Sequence, residues 1–442
     1  MGRAPQTRTL DVWVNGRLTG YYRYSPSGGV SFQYEREWLD WEHAFPLSRQ
    51  LPLVARSQSG RHVNAVFENL LPDNAPIRRM IAERTEARSD RPHDLLAAIG
   101  RDCVGAMQFV PHGQDPGDPF VIEGEVQSEA QIAETLRHLA RDPLGIAEED
   151  EPLRISLAGA QEKTAYLKQG DNWVKPRGLT PTTHIFKRPI GVTQRGLDLS
   201  ESVENEYLCL KILQAFGLEA NNVEMARFED ERVLVIERFD RAPRAKGGIV
   251  RLPQEDFLQA SGFESGLKYQ DHGGPSMRDC LELLAASENP LSDQNLFLKA
   301  QILNWMLLAT DGHAKNYSIF NLPGGGFRMT PLYDVLTAAP AELRNNFRHK
   351  DIQMAMSVGN ARHYRMDQIH PRHFTQTARA ARVPIRVIRD ATIEIVEIGR
   401  PALAEVEVGL PGDFPERISG PVLERLGRCL ATVEAYAESG DA

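Results

Sequence analysis

Cysteine is scarce: the 442-residue chain has four, Cys103, Cys209, Cys280 and Cys429, set far apart and never as a CxxC pair. That scarcity excludes a disulfide framework and a zinc ribbon, which need closely spaced thiols, and the four read as buried thiols of a reducing compartment. Long apolar runs are also missing. No segment approaches the roughly 20 residues of a membrane-spanning helix, and the basic start MGRAPQTRTLDVW lacks the apolar stretch of a signal peptide. The expectation is a cytoplasmic protein with no membrane partner. Positive charge is in deficit, at a formal net charge of -9, so the surface as a whole is not built for nucleic acid, which needs a concentrated positive field. Any DNA contact must be local. There is no internal repeat and no low-complexity tract.

What is present is an ordinary globular balance, 41% hydrophobic and 25% charged, in a chain long enough for about two or three packed units. The opening alternates at Leu10, Val12 and Val14, turns at Asn15-Gly16 and again at a Ser-Gly-Gly, and resumes at Val30, Phe32 and Tyr34. Period-two apolar positions around positive-φ turn residues predict a small antiparallel sheet. Helical spacing follows from Val66 to Thr85 and from His93 to Ile99, then a strand over Ala106 to Val110 and an amphipathic helix over 127–145. The acidic EEDEP at 148–152 marks a junction. Short β-branched and aromatic runs occupy 153–240 around one helix, Glu201 to Phe216, and beyond about 280 nearly every apolar pattern is helical. The expected class is α+β, two-lobed and kinase-like, with a β-rich N-terminal subdomain over 1–145, a nucleotide-binding region over 146–240 and an all-helical C-terminal lobe over 241–442.

The strongest chemical signal is TDGHAKN at 310–316, followed at a distance by Pro331-Leu-Tyr-Asp334. Asp311 and Asn316 have the spacing in which kinases place a carboxylate for the acceptor hydroxyl and an amide for magnesium, and Asp334 supplies the second metal oxygen. Lys315 adds positive charge for the γ-phosphoryl oxygens. The competing reading is an Asp-Gly turn capping a helix. Upstream, ISLAGAQEK at 155–163 is a strand entering a small-residue loop, where Ala158, Gly159 and Ala160 let backbone N–H groups approach a triphosphate. Lys187, on an alternating strand, is either the phosphate-pairing lysine or a solvated strand lysine. Glu206, or its neighbour Glu204, is either that lysine's partner or a surface carboxylate. The apolar strand VLVIERFDR ends at Glu237-Arg238-Phe239, either an adenine-binding hinge or the polar exit of a central strand. Loop, lysine strand, helix, hinge, helical lobe, Asp-x4-Asn loop and second Asp stand in the order a kinase needs.

These segments resemble the HipA family of toxin kinases over nearly the whole chain. FENLLPDNAPIR, DLLAAIGRDCVGA, ISLAGAQEKTA, TPTTHIFK, ENEYLCL, VIERFDR, RLPQEDF, ATDGHAKNYS and PLYDV all read as HipA sequence in HipA order. The resemblance implies an ATP- and magnesium-dependent serine/threonine kinase with a fold related to lipid kinases, acting as the toxin of a type II toxin–antitoxin system. The partners it implies are a HipB-like helix-turn-helix antitoxin, operator DNA reached through the antitoxin complex, and an aminoacyl-tRNA synthetase substrate, with glutamyl-tRNA synthetase favoured. Translation would fall and cells become dormant. By motif, the nucleotide would meet Ala158, Gly159, Ala160, Gln161, Glu162 and Lys163 in the loop. It would further meet Lys187, Glu237, Arg238, Phe239, His313, Ala314, Lys315, Asn316, Tyr333 and Asp334. Asp311 would accept the proton. Ser156 matches the serine that the family autophosphorylates; otherwise it is a small strand residue. The one basic block, Arg362 to Arg389, carries Arg379 and Arg382 where the family's DNA-contacting residues lie, and helical spacing would put both on one face with Arg386 and Arg389. A solvated face is the plain alternative. The rival functions are a small-molecule kinase, which shares the Asp, Asn and Asp logic, and a catalytically silent co-repressor.

Overall fold

The computed structural model describes residues 6–141, 155–156, 161, 163–192, 198–344 and 348–439. Contacts divide the chain into two compact units, each discontinuous in sequence. The first gathers Met1–Arg188, Ala226–Gly266 and Ile319–Phe327, so the strand-rich stretch after 155 shares a unit with the N-terminal sheet. The second gathers Pro189–Met225, Leu267–Ser318 and Arg328–Ala442.

The two largest sheets described are antiparallel and belong mainly to the first unit. In the five-stranded one the spatial order is Gln58–Ser59, Val30–Tyr34, Arg17–Tyr24, Arg8–Val14 and Met107–Pro111. Its first hairpin turns where Asn15 and Gly16 take φ of 47° and 81°, the left-handed pair that matches strand twist. The inward positions Leu10, Val12, Val14, Tyr22 and Phe32 pack on the helices Arg61–Glu68, Ala75–Arg84 and Pro92–Ile99. Val66 to Thr85 is thus two helices, separated around Pro72, whose ring removes a helical N–H. The six-stranded sheet runs Val223–Phe228, Glu231–Glu237, His184–Lys187, Lys163–Gln169, Asn172–Pro176 and Gly124–Gln127. It is covered by the helix Glu129–Arg141 through Ile132, Ala133, Leu136 and Leu139.

A buried ion cluster stands among these strands. Asp102 and Asp240 face Arg238, Arg241 and Arg251, with N···O distances of 2.8 to 3.5 Å. Burial pushes the Asp102 carboxyl up, but Arg241, Arg238 and Arg251 together outweigh it and hold the group well below the usual carboxylate range.

The second unit is helical in its bulk. Its long members are Ser202–Ala215, Pro290–Leu307, Ile385–Gly409 and Glu416–Glu438, and it also carries short ladders such as Gln353–Val358 with His363–Arg365. All four cysteines are buried and free, as expected. Among the described residues no helix is long and apolar enough to cross a membrane.

Candidate active site

The chemistry-bearing residues fall in both units. In the helical unit, Pro290–Leu307 buries Phe297, Leu298, Ile302, Leu303, Met306 and Leu307. It stops at Leu308, whose φ of 55° is left-handed, while Ala309 N–H returns to the Asn304 carbonyl at 2.8 Å. The chain leaves the helix sharply and Asp311 emerges two residues later. Gly312 is required there: a Cβ would stand 2.6 Å from Asn304 Nδ2 and 3.3 Å from the Tyr317 hydroxyl. Tyr317 in turn receives Asn304 at 2.7 Å and Gln301 at 2.9 Å. The loop is therefore seated on the helix that precedes it.

Within the loop, His313 N–H donates to the Asp311 carbonyl at 2.8 Å, Asn316 N–H to the His313 carbonyl at 2.9 Å, and Ala314–Asn316 make one 3₁₀ turn. The Asn316 side chain is tied down by backbone. Its Nδ2 donates to the Asp311 carbonyl at 2.8 Å and reaches the Asp334 carbonyl at 3.4 Å. The amide nitrogen is thereby held on backbone acceptors and Oδ1 is turned the other way. Asp334 sits at a left-handed φ of 58°, a region that aspartate enters more readily than most side chains. The chain on either side is held in place: Leu332 N–H donates to the Glu219 carbonyl at 2.8 Å, Asn221 N–H to the Leu332 carbonyl at 2.9 Å, and Asn205 brackets Thr337 with two 2.8 Å bonds. An amide oxygen and a carboxylate are donor types that suit a hard cation such as magnesium, which takes one or two protein oxygens and completes its shell with phosphate and water. Among the described residues no group of three or more His, Cys, Asp or Glu could hold a metal by itself.

Asp311 has its own supports. The Tyr269 hydroxyl donates to Asp311 Oδ1, and His313 Nε2 stands 3.6 Å from the same oxygen. The Tyr269 ring meets His313 edge-on at 4.9 Å. Burial pushes the His313 pKa down, more strongly than Asp311 raises it, so the ring is neutral at neutral pH. Lys315 and Ala314 are buried. Tyr333 is braced by Ser318 Oγ at 2.6 Å and donates to the Lys315 carbonyl at 3.1 Å. Glu204 and Glu206 are both buried, at 3% and 1% exposure, so neither is a surface carboxylate.

In the strand-rich unit, Lys187 is buried and ends the strand His184–Lys187, opposite Leu234 on one side and Lys163 on the other. It is not a solvated strand lysine. Gln161 Nε2 donates to the Arg188 carbonyl at 2.8 Å. Ala158, Gly159, Ala160 and Glu162 lie outside the described residues, as does the side chain of Ser156, whose backbone pairs in parallel with Cys103. Glu237 ends its strand exposed and Phe239 meets Phe320 edge-on at 5.7 Å. Arg238 departs from the hinge reading. Its N–H already donates to the Thr183 carbonyl at 2.9 Å, and its guanidinium is taken by Asp240, Thr182 and the Cys103 carbonyl. The N–H is thus spent on the neighbouring strand and the guanidinium on the buried cluster.

The arginine block also departs from its expected form. Pro371–Ala380 ends before Arg382, which turns at a left-handed φ of 59°, and a separate helix begins at Ile385. Arg379 and Arg382 are exposed, as are Arg386 and Arg389, but the four do not share one helical face. Pro384 excludes a continuous helix here.

The HipA N-terminal domain matches residues 10–110 and the HipA-like C-terminal domain residues 155–400. This chain belongs to the HipA family. The candidate kinase Y4mE of Sinorhizobium fredii is 32% identical over 403 residues, covering 90% of this chain and 92% of that one. The serine/threonine-protein kinase toxin HipA of Shewanella oneidensis is 26% identical over 368 residues, covering 80% of this chain and 79% of that protein. A solved structure of the Shewanella oneidensis toxin–antitoxin complex of HipA, HipB and operator DNA superposes with a TM-score of 0.78 at 23% identity, covering 97% of each chain. The HipA fold therefore extends over 97% of the chain, and the α+β kinase-like class holds. Tyr269 and Asn205 were missed in the sequence reading. Asn205 lies inside the family stretch ENEYLCL and could have been found there; Tyr269 is 42 residues from Asp311 and no spacing connects them.

Proposed function

We propose that this HipA-family protein is an ATP- and magnesium-dependent protein serine/threonine kinase, the toxin of a type II toxin–antitoxin pair. The observation that carries this reading is the Asn316 side chain, whose nitrogen is tied to the carbonyls of both Asp311 and Asp334. One amide thus ties the backbone of the residue that would receive the proton to the backbone of the residue that would hold the metal. Magnesium held by Asn316 Oδ1 and Asp334 would neutralise charge on the β- and γ-phosphates.

The chain's residues do the rest. Asp311 orients an acceptor hydroxyl and takes its proton as the hydroxyl oxygen bonds to the γ-phosphorus and the bond to ADP breaks. Lys315 stabilises the equatorial oxygens. Lys187 pairs with the α- and β-phosphates, while Lys163, Gln161 and the small-residue loop cover them. Glu237 and Phe239 serve the adenine, with Arg238 contributing through the buried cluster that holds them. His313, Ala314 and Tyr333 line the nucleotide. Ser156 is the site of autophosphorylation, where added negative charge of about -1.5 to -2 would oppose incoming ATP.

An aminoacyl-tRNA synthetase, glutamyl-tRNA synthetase first, is the proposed target. A HipB-like antitoxin is the proposed partner, through which Arg379 and Arg382 reach operator phosphates. The test is radiolabelled ATP with magnesium and purified protein, wild type against Asp311→Ala. The expected result is phosphate on Ser156 in the wild type alone. Nucleotide binding without transfer would instead favour the silent co-repressor. Phosphoproteomics after induction of the same pair identifies the target.

A further inference from the structure

The loop from Leu267 to Gly274 has no part in the reading above, yet it delivers a hydroxyl onto the proposed proton acceptor. Its build is rigid. The Tyr269 carbonyl receives two N–H groups, from His272 at 3.1 Å and from Gly274 at 3.0 Å. Gly273 turns at a φ of 94°, and a Cβ on Gly274 would stand 1.9 Å from the Leu267 carbonyl, so the loop closes only with glycine there. The next residue, Gln270, is locked to Ser357 by two bonds, its Oε1 accepting from Ser357 N–H at 2.8 Å and its Nε2 donating to Oγ at 3.0 Å. The Tyr269 ring is held edge-on by His313 at 4.9 Å, and Lys268 Nζ stands 5.5 Å from its centroid.

Both contacts described for the Asp311 carboxylate fall on one oxygen. Tyr269 donates to Oδ1 and His313 Nε2 lies 3.6 Å from it, although the Asp311 side chain is 48% exposed. A hydrogen bond to one oxygen restrains rotation of the carboxylate and favours one direction for its second oxygen. We infer that Tyr269 is a positioning residue of the transfer reaction, anchoring Asp311 Oδ1 so that Oδ2 alone receives the acceptor hydroxyl.

This rests on the kinase reading. In the step itself the acceptor proton passes to Oδ2, the acceptor oxygen bonds to the γ-phosphorus and ADP departs with the bonding electrons. Tyr269 keeps its own proton throughout and never exchanges it with the substrate. Losing the anchor frees the carboxylate to swing, and displacement of a reacting group by about 1 Å can cost on the order of 100-fold in rate.

The experiment is single-turnover autophosphorylation of the full chain with radiolabelled ATP and magnesium, read at increasing ATP in wild type, Tyr269→Phe, Asp311→Asn and the double variant. Tyr269→Phe keeps the ring and removes the hydroxyl. Its maximal rate is expected to fall roughly 10- to 100-fold, with the half-saturating ATP concentration and melting temperature unchanged. In the Asp311→Asn background the same change should alter the residual rate less than about two-fold, because a residue acting through Asp311 has nothing left to position. An unchanged or raised maximal rate in Tyr269→Phe overturns the assignment and leaves the kinase reading standing. So does a full further loss in the double variant, or a loss that follows a lower melting temperature. No incorporation by the wild type overturns the kinase reading and this one with it.

Discussion

Two side chains show how far single residues govern this molecule. Gly312 sits where the loop that carries Asp311 presses on the preceding helix, and its φ is not left-handed, so the demand for glycine is one of space alone. Gly312→Ala should push Asn304 off the Tyr317 hydroxyl and move Asp311. Overpacking of this kind costs about 1–3 kcal/mol of stability, and phosphate incorporation should fall on the order of 100-fold. A denaturant titration and the radiolabel assay check both, and full activity in the alanine variant would mean that the loop tolerates the contact. Glu255 is the second. It accepts from Ser48 Oγ at 2.5 Å and from Arg49 N–H at 2.7 Å, yet burial dominates and pushes its pKa up to about 7. A carboxyl raised on folding binds its proton more tightly in the folded state. Its contribution is present below the unfolded value near 4.5 and is lost as pH rises through 7. Over that window the unfolding free energy should drop by about 3 kcal/mol. Glu255→Gln should flatten the decline, and a variant with an equally steep profile would assign the effect to another group.

Among elements, the buried ion cluster joins segments that the sequence keeps apart. Asp102 lies on the short strand Asp102–Cys103 and receives Thr182 N–H at 3.0 Å and Thr182 Oγ1 at 2.7 Å besides its arginines. Removing it leaves Arg238, Arg241 and Arg251 buried with one carboxylate fewer, and breaking a buried pair costs about 3–5 kcal/mol. Asp102→Ala should lower the urea midpoint accordingly, whereas Asp102→Asn, which keeps an acceptor for Thr182, should lower it less. Equal midpoints for wild type and Asp102→Ala would show that water reaches the arginines. The same cluster shows what the sequence hides about Arg238: its guanidinium is held by Asp240, two residues on, and by Thr182 and Asp102, the last 136 residues away and brought there only by the fold. The opening hairpin was legible because its alternation and its Asn-Gly turn are local. The arginine block read as one helix face because spacing was given more weight than Pro384, which carried the true boundary. Tyr269 reaches Asp311 only through a loop closed by glycines, and loop closure leaves no periodic trace.

For the molecule as a whole, the order of motifs along the chain was readable, since each is contiguous, but the two units were not: each is assembled from three separated segments. The proposed function requires the folded state, and not the unfolded one, to bind nucleotide and metal, which makes stability a reporter of the proposed donor set. A ligand at 100 times its dissociation constant adds about 2.7 kcal/mol. For a chain of this size that is a rise of at most a few degrees in melting temperature, roughly 2–4 °C per kcal/mol even at half the length. Magnesium should enlarge the shift that ATP alone produces, because Asn316 Oδ1 and Asp334 then add their oxygens to those of the phosphates. Asp334→Ala should keep the ATP shift in chelator and lose the magnesium increment. Lys187→Ala should shrink both, since its charge faces phosphate with or without metal. Melting curves of the three proteins in ATP, with magnesium and with chelator, separate these outcomes without reference to activity. An undiminished magnesium increment in Asp334→Ala would remove that carboxylate from the metal site, and no ATP shift in the wild type would remove nucleotide binding altogether.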